Sequence, residues 1–77
     1  MITQRRLRHL LSLVEYAHFG RAAAALNISQ PALTKSIQAL EAELGVMLLD
    51  RKRGAVVLTA FGELVVRRSR TLLNAEE

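Results

Sequence analysis

The segment from residue 19 to residue 44 constrains the fold most, because two short helical patterns meet there at a tight polar break. In the second pattern apolar residues recur with the spacing of a helix that lies against a core, at Leu33, Ile37, Leu40 and Leu44. The first pattern holds four consecutive alanines, whose small side chains let another helix approach closely. The short link Asn27-Ile28 joins them. Together these features predict a helix-turn-helix over about residues 19–38.

The start of the second helix carries its own signals. Ser29 stands at the N-cap position, where its hydroxyl can accept a hydrogen bond from a free backbone N–H of the first turn. Pro31 falls inside that turn, where its missing N–H costs little. The positive end of the helix dipole would therefore suit a phosphate near Ser29 and Gln30.

The outer face of the second helix is polar but carries little charge, with Gln30, Thr34, Lys35 and Gln38. In the major groove of DNA, Lys pairs well with guanine and Gln with adenine, so these side chains are candidate base contacts. The alternative is that the helix pair is part of an ordinary all-helical core. A face that is only solvated would carry more Glu and Lys than this one.

Basic residues exceed acidic ones by 11 to 7, and the formal net charge is +4, which predicts an anionic partner. Arg21 and Lys35 lie inside the helix pair. The other basic residues form three clusters, which are Arg5, Arg6 and Arg8, then Arg51, Lys52 and Arg53, then Arg67, Arg68 and Arg70. A charge cluster is often only a solvated surface, and we favour that interpretation for the last of the three.

The rest of the chain predicts a first helix, a hairpin and a last helix. Thr3 would cap a first helix with an apolar stripe at Leu7, Leu10, Leu11, Val14 and Ala17, and Gly45 would end the third helix. Apolar runs at 47–49 and 55–58 flank the charged segment 50–54, which is typical of a β-hairpin. Thr59 would cap the last helix.

The tip of the predicted hairpin is basic. Arginines are favoured in a narrow, electronegative minor groove, so we expect Arg51 and Arg53, with Lys52 between them, to contact DNA there or along its backbone. The alternative is an exposed loop that only keeps the chain in solution.

Composition excludes several other classes. With 77 residues the chain forms one domain at most. Without cysteine it has neither disulfides nor thiolate zinc ligands, and His9 and His18 lack metal-ligand spacing. No nucleophile, metal or phosphate-loop arrangement indicates an enzyme, so we expect no cofactor. No segment resembles a membrane span or a signal peptide, which leads us to expect a cytoplasmic protein.

The segment RAAAALNISQPALTKSIQALEAELGVMLLDR, followed by LTAFG at 58–62, resembles the N-terminal DNA-binding domain of LysR-type transcriptional regulators of bacteria. The resemblance implies a mainly α fold. A winged helix-turn-helix would span residues 1–59, with three helices and a β-hairpin wing at about 46–58. A linker and dimerisation helix would follow over 60–77. It also implies sequence-specific binding to double-stranded promoter DNA and control of transcription.

The resemblance implies roles for individual residues. Base contacts would come from Gln30, Pro31, Ala32, Thr34 and Lys35, and Arg21 would hold phosphate. Arg51 or Arg53 would provide the DNA contact of the wing. Two positions depart from the family pattern. Lys35 stands where Arg is common and lacks its planar fork, and Gly20 replaces a Thr or Ser whose hydroxyl would contact phosphate.

The last helix predicts pairing with a second copy of the chain, because Val66, Ser69 and Leu73, beside Val65 and Leu72, recur at coiled-coil-like spacing. A homodimer would read an interrupted palindrome. The alternative is that these residues cover the core of their own chain. We expect an effector-binding domain to be absent, so that a small-molecule effector would act only through a domain outside this chain.

The sequence leaves one other function open and disfavours a second one. A helical protein-interaction module that uses the apolar last helix is the main alternative to DNA binding. Double-stranded RNA is a poorer partner, since its deep and narrow major groove does not admit a helix.

Overall fold

Residues 3–54 and 56–74 are described by the computed structural model, and within them the chain forms four helices. These are α1 (Gln4–Tyr16), α2 (Phe19–Leu26), α3 (Gln30–Leu44) and α4 (Ala60–Asn74). Helix α1 packs against the other three, and α2 also packs against α3. The predicted mainly helical fold is therefore confirmed, with α1 at its centre.

The core consists mainly of leucines from α1, from α3 and from the segment that follows α3. Its largest fully buried side chains are Leu10, Leu13, Leu33, Ile37, Leu40, Leu48 and Leu49. Burial of each such side chain stabilises the fold by about 1.5–3 kcal/mol before the entropy of ordering it is subtracted. Ala22 and Ala23 of α2 are also buried, whereas Ala24 and Ala25 are exposed, so two of the four consecutive alanines lie where α2 packs against its neighbours.

The helix ends follow local rules that were predicted from the sequence. Thr3 Oγ1 accepts a hydrogen bond from Arg6 N at 3.2 Å, and Thr59 Oγ1 accepts one from Gly62 N at 3.0 Å. Gly45 ends α3 in the left-handed conformation, with φ of 72°.

The prediction that Ala17 belongs to the apolar stripe of α1 was wrong. It is exposed and ends α1 with φ of 52°, so it turns the chain towards α2 instead of extending the apolar stripe.

The segment between α3 and α4 pairs with itself only at its base. Asp50 N donates to Val57 O at 2.7 Å, and Thr59 N donates to Leu48 O at 2.9 Å. Within the described residues, these bonds give one antiparallel bridge, between Leu49 and Leu58. The predicted strand at 55–58 includes residue 55, which lies outside the described residues. A longer two-stranded ladder is not seen in the part that the structure describes.

A physical reason for the short pairing lies in the first apolar run. Leu48 and Leu49 are both buried, although consecutive residues of a regular strand point to opposite faces. Their backbone N–H groups both donate to the carboxylate of Glu41, at 2.8 and 3.3 Å. The Leu48 N–H is therefore used within the core and does not extend the ladder towards the second run. The Leu49 N–H faces away from that run, because Leu49 and Leu58 form an antiparallel pair whose hydrogen bonds come from the neighbouring residues.

Helix α4 crosses this segment at a glycine. A Cβ atom on Gly62 would overlap the carbonyl oxygen of Leu48, and it would also lie 3.0 Å from Leu58 Cδ2. The overlapping atom belongs to the backbone, which cannot move aside as a flexible side chain could. Gly62 therefore lets α4 pack directly on the buried Leu48 segment.

Substitution Gly62→Ala should lower the free energy of unfolding by about 1–3 kcal/mol, because overlap with backbone outweighs the gain of about 1 kcal/mol in helix propensity. Urea denaturation followed by circular dichroism would measure it. Gly20→Ala is the matched control, since the nearest atom to its new Cβ is Cε1 of the exposed His18 ring at 3.1 Å. The control should change stability by less than about 1 kcal/mol. Equal losses would contradict this account of Gly62.

Candidate nucleic-acid interface

The N-terminus of α3 is capped and open to solvent. Ser29 Oγ accepts a hydrogen bond from Ala32 N at 3.1 Å, and Pro31 lies in the first turn, as predicted. Gln30, Pro31 and Ala32 are all exposed. The first turn of α3 therefore presents the side chains of Gln30, Pro31 and Ala32 to solvent at the positive end of the helix dipole.

The predicted base-contact residues of α3 lie mostly on one surface. Gln30, Lys35 and Gln38 are exposed and Thr34 is half-buried, and together with Pro31 they line one shallow, open depression. The remaining predicted contact, Ala32, faces a second groove, between α3 and α1, which Lys35 also lines. Lys35 thus stands on the ridge between the two surfaces.

The start of α2 adjoins this surface. His18 caps α2, because its Nδ1 accepts a hydrogen bond from Arg21 N at 3.1 Å. A Cβ atom on Gly20 would lie 3.5 Å from Gln30 Oε1, so the first turn of α2 is next to the first turn of α3. The exposed Arg21 follows directly in the same turn of α2. The cap by His18 was not predicted from the sequence, although its position directly before Phe19 and Gly20 was the available signal.

Arg51 has a structural partner, which revises its assignment as a DNA contact. Its Nη2 donates to Glu41 Oε1 at 3.1 Å, and the Glu41 side chain is only 6% exposed. Turning Arg51 towards DNA would remove a positive partner from a buried carboxylate, which is unfavourable. In the part of the chain that the structure describes, Lys52 and Arg53 are exposed at the same turn and have no ion pair.

Sequence reasoning missed Glu41, although it holds the base of this turn in place. Glu41 lies four residues after Ile37, on the buried face of α3, where a carboxylate needs partners. It obtains them from the backbone of Leu48 and Leu49 and from Arg51. An acidic residue at a core position of the helical stripe was the signal that could have identified it.

The predicted dimerisation residues divide into two groups. Val66, Ser69 and Leu73 are 3–5% exposed. They cover the core of their own chain, which was the alternative to dimerisation. Val65 is half-buried, and Leu72 is 56% exposed. Phe61 and Leu64, which were not assigned to dimerisation, are also exposed. The accessible apolar surface of α4 therefore consists of Phe61, Leu64, Val65 and Leu72.

Within the described residues, no group of three or more His, Cys, Asp or Glu side chains is placed to hold a metal ion. Among the described helices, none has both the length and the apolar character needed to cross a membrane.

A protein-family model described as a bacterial regulatory helix-turn-helix protein of the lysR family matches residues 4–63. The chain is 56% identical, over 72 residues, to the SDS degradation transcriptional activation protein of Pseudomonas sp., with 94% of this chain and 24% of the relative aligned. It is 48% identical, over 69 residues, to the DNA-binding transcriptional dual regulator OxyR of Escherichia coli, with 90% of this chain and 23% of OxyR aligned. The chain thus spans about a quarter of the length of these curated relatives.

Among solved structures, the DNA-binding domain of BenM in complex with catB site 1 DNA superposes with a TM-score of 0.90. The two sequences are 38% identical, and the match covers 96% of this chain and 83% of that one. At this identity and coverage the likeness extends from the helix-turn-helix into α4.

Substitution Arg51→Ala should lower the free energy of unfolding by about 1–2 kcal/mol, because a buried carboxylate loses a charged hydrogen-bond partner that is itself half-exposed. Thermal and urea denaturation would measure the loss. Arg53→Ala removes the same charge from the same turn and should stay within about 0.5 kcal/mol of the parent. If the two variants were equally stable, Arg51 would not hold the turn.

Proposed function

We propose that this chain, which belongs to the LysR family of bacterial regulatory helix-turn-helix proteins, binds double-stranded DNA sequence-specifically as part of a transcriptional regulator. One observation carries the proposal. Helix α3 presents an exposed polar face, bordered by a capped N-terminus, on the side opposite to its buried leucines. This division suits a helix that is anchored in a core and enters a major groove. The DNA complex of a similar domain supports the same assignment.

Base readout is proposed for the α3 surface. Gln30, Thr34, Lys35 and Gln38 would contact base edges by hydrogen bonds, while Pro31 and Ala32 would make close apolar contacts with them. Lys35 is the strongest candidate for discrimination, because its ammonium group can reach the acceptors of guanine. Without the planar fork of Arg, it acts there as a point charge, so we expect a looser preference than an arginine would give.

Phosphate contacts are proposed for the groups around this surface. Arg21 at the start of α2 and the Ser29 cap at the start of α3 would lie along the backbone on either side of the entering helix. The segment at 46–58 would act as a wing, with Lys52 and Arg53 at its exposed turn. These two cations would approach the minor groove or the backbone next to it.

A homodimer is proposed through α4. Its accessible apolar side chains, Phe61, Leu64, Val65 and Leu72, lie on the helix that follows the DNA-binding part. Pairing of two such helices would remove these side chains from water and would place two α3 helices on one duplex. Two subunits would then read the halves of an interrupted palindrome.

The full regulator would extend beyond this chain, since the relatives are about four times longer than the aligned part. We propose that any small-molecule effector acts through such a further domain. A role on the bacterial chromosome would place the protein in the cytoplasm.

Selection from a randomised duplex pool tests the proposed function. The parent chain should enrich an interrupted palindrome, and log affinity should fall linearly with log salt concentration. Lys35→Ala should cost about 1–3 kcal/mol at the selected site and should flatten base preference at some positions. Arg21→Ala should weaken all duplexes alike and should lower the salt slope by about one.

The pattern of outcomes separates the assigned roles. Equal loss of affinity by Lys35→Ala on selected and scrambled duplexes would overturn base readout by Lys35. Absence of salt-dependent binding to any duplex would overturn the function and would favour a protein-interaction module built on α4.

The dimer is tested by Leu72→Glu, which places a charge on the proposed apolar contact surface and should shift sedimentation equilibrium from dimer towards monomer by at least about tenfold in dissociation constant. Asn74→Glu adds the same charge at an exposed position two residues along α4, which does not face the same side as Leu72, and should leave the equilibrium nearly unchanged. A parent chain that stays monomeric at high concentration, or two variants that behave alike, would contradict pairing through this surface.

A further inference from the structure

A groove of about 380 Å³ lies between the N-terminal half of α1 and the outer side of α3. Arg5 and His9 line it from α1, and Lys35 and Ser36 line it from α3. The groove shares Lys35 and Ala32 with the proposed DNA interface. A duplex whose bases meet Lys35 would therefore bring its sugar–phosphate backbone close to this groove.

The charge of the groove is positive and only partly compensated. Arg6 Nη1 donates to Glu43 Oε1 at 2.6 Å, so that arginine has an acidic partner. Within the described residues, Arg5 and Lys35 have no ion pair, and no acidic side chain lines the groove. Two cations on different helices thus face one concave surface without a counter-charge from the described part of the chain. Such an arrangement favours an anion.

His9 joins the two walls of the groove. Its Nδ1 lies 2.7 Å from Ser36 Oγ, which connects α1 to α3 directly beside Lys35. A neutral Nδ1 would accept the hydrogen bond from the serine hydroxyl. A protonated Nδ1 would donate to the same oxygen, because a hydroxyl can act either way. His9 can therefore gain a proton without loss of this contact between the helices.

Without an anion in the groove, the surroundings of His9 disfavour its protonated form. Partial burial lowers the pKa of His9 below its usual value of 6.5, and the positive charge of Arg5 lowers the pKa further. Arg6 and Lys35 are the other cations that face the groove, and the carboxylate of Glu43 pairs with Arg6. An added negative charge would act in the opposite direction and would favour the imidazolium.

We propose that this groove binds a phosphate of the DNA backbone between Arg5 and Lys35, and that His9 takes up a proton when the phosphate binds. The inference rests on the proposed function and adds to it a second anchor on the α1 side of α3, coupled to pH. Arg5 and Lys35 would supply the fixed positive charge. His9 would supply a third charge only when the phosphate is present.

Proton uptake has a definite sign in the binding equilibrium. If the bound state holds His9 at a higher pKa than the free state, affinity rises as pH falls between those two values. One proton taken up per subunit limits the slope to about tenfold in affinity per pH unit. Above both pKa values, protonation of His9 no longer contributes to the affinity.

Fluorescence anisotropy of the folded chain with one fixed duplex, measured between about pH 5 and 8 at constant ionic strength, tests the inference. The parent should bind more tightly at lower pH. His9→Gln keeps a hydrogen-bonding side chain but cannot titrate. In this variant, the part of the pH dependence that comes from His9 should be lost. The difference between parent and variant is the measure, because the α-amino group also titrates near about pH 7.7.

His18→Ser is the matched control. It removes the other histidine of the chain and keeps a good N-cap residue for α2, so the part of the pH dependence that is lost in His9→Gln should remain in His18→Ser. In the parent, NMR titration of the His9 ring with and without the duplex should show a higher pKa in the complex. That measurement does not depend on the stability of any variant.

Several results would overturn the inference while leaving the proposed function intact. They are DNA binding that does not change with pH, a pH dependence that is as steep in His9→Gln as in the parent, a loss of pH dependence in His18→Ser that equals the loss in His9→Gln, and a His9 pKa that does not rise in the complex. If Arg5→Ala left the dependence of log affinity on log salt concentration unchanged, a phosphate contact in this groove would be contradicted. Absence of DNA binding at every pH would overturn the proposed function itself.

Discussion

The carboxylate of Glu41 organises the chain beyond α3. It is buried, and it accepts hydrogen bonds from the backbone of Leu48 and Leu49 and from Arg51. These bonds fix the path of the segment after Gly45, so that the Leu48 carbonyl meets Thr59 N and the surface of Gly62. The start of α4 is therefore positioned from the end of α3 through a few backbone groups. An apolar or shorter residue at position 41 would leave buried N–H groups without an acceptor, which costs more than the bonds themselves contribute.

This dependence has a consequence for the proposed interface. The exposed turn with Lys52 and Arg53 begins directly after the residues that Glu41 holds. Helix α3 carries the proposed base-reading side chains at one end and Glu41 towards the other. The position of the turn relative to the reading face is thus set by a rigid helix and a buried contact, with little dependence on the turn itself. Such support on a regular element holds a binding surface more accurately than a loop alone could.

Much of this arrangement was predictable, because local rules decide it. The caps at Thr3, Ser29 and Gly45 and the helical stripe of α3 follow from residue type and spacing over a few positions. The burial of Val66, Ser69 and Leu73 did not follow, since a stripe on one helix cannot say whether its partner is α1 or a second chain. The pairing of Arg51 with Glu41 links residues ten positions apart across a turn, and charge clustering alone indicated only a solvated or DNA-facing tip. The roles of individual side chains at the proposed interface stay predictions.

The basic residues of the chain also fall into two groups, those that pair with acidic residues of the same chain and those that do not. A count from the sequence treats both groups as one quantity. Arg51 is tied to the core through Glu41, and Arg6 is tied to α3 through Glu43, so two of the 11 basic residues hold elements of the chain together. Arg5, Arg21, Lys35, Lys52 and Arg53 have no ion pair in the described part of the chain, and they come from α1, α2, α3 and the turn before α4. A partner that neutralises charges on all of these elements must be extended and regularly anionic, which a duplex backbone is and a single small anion is not.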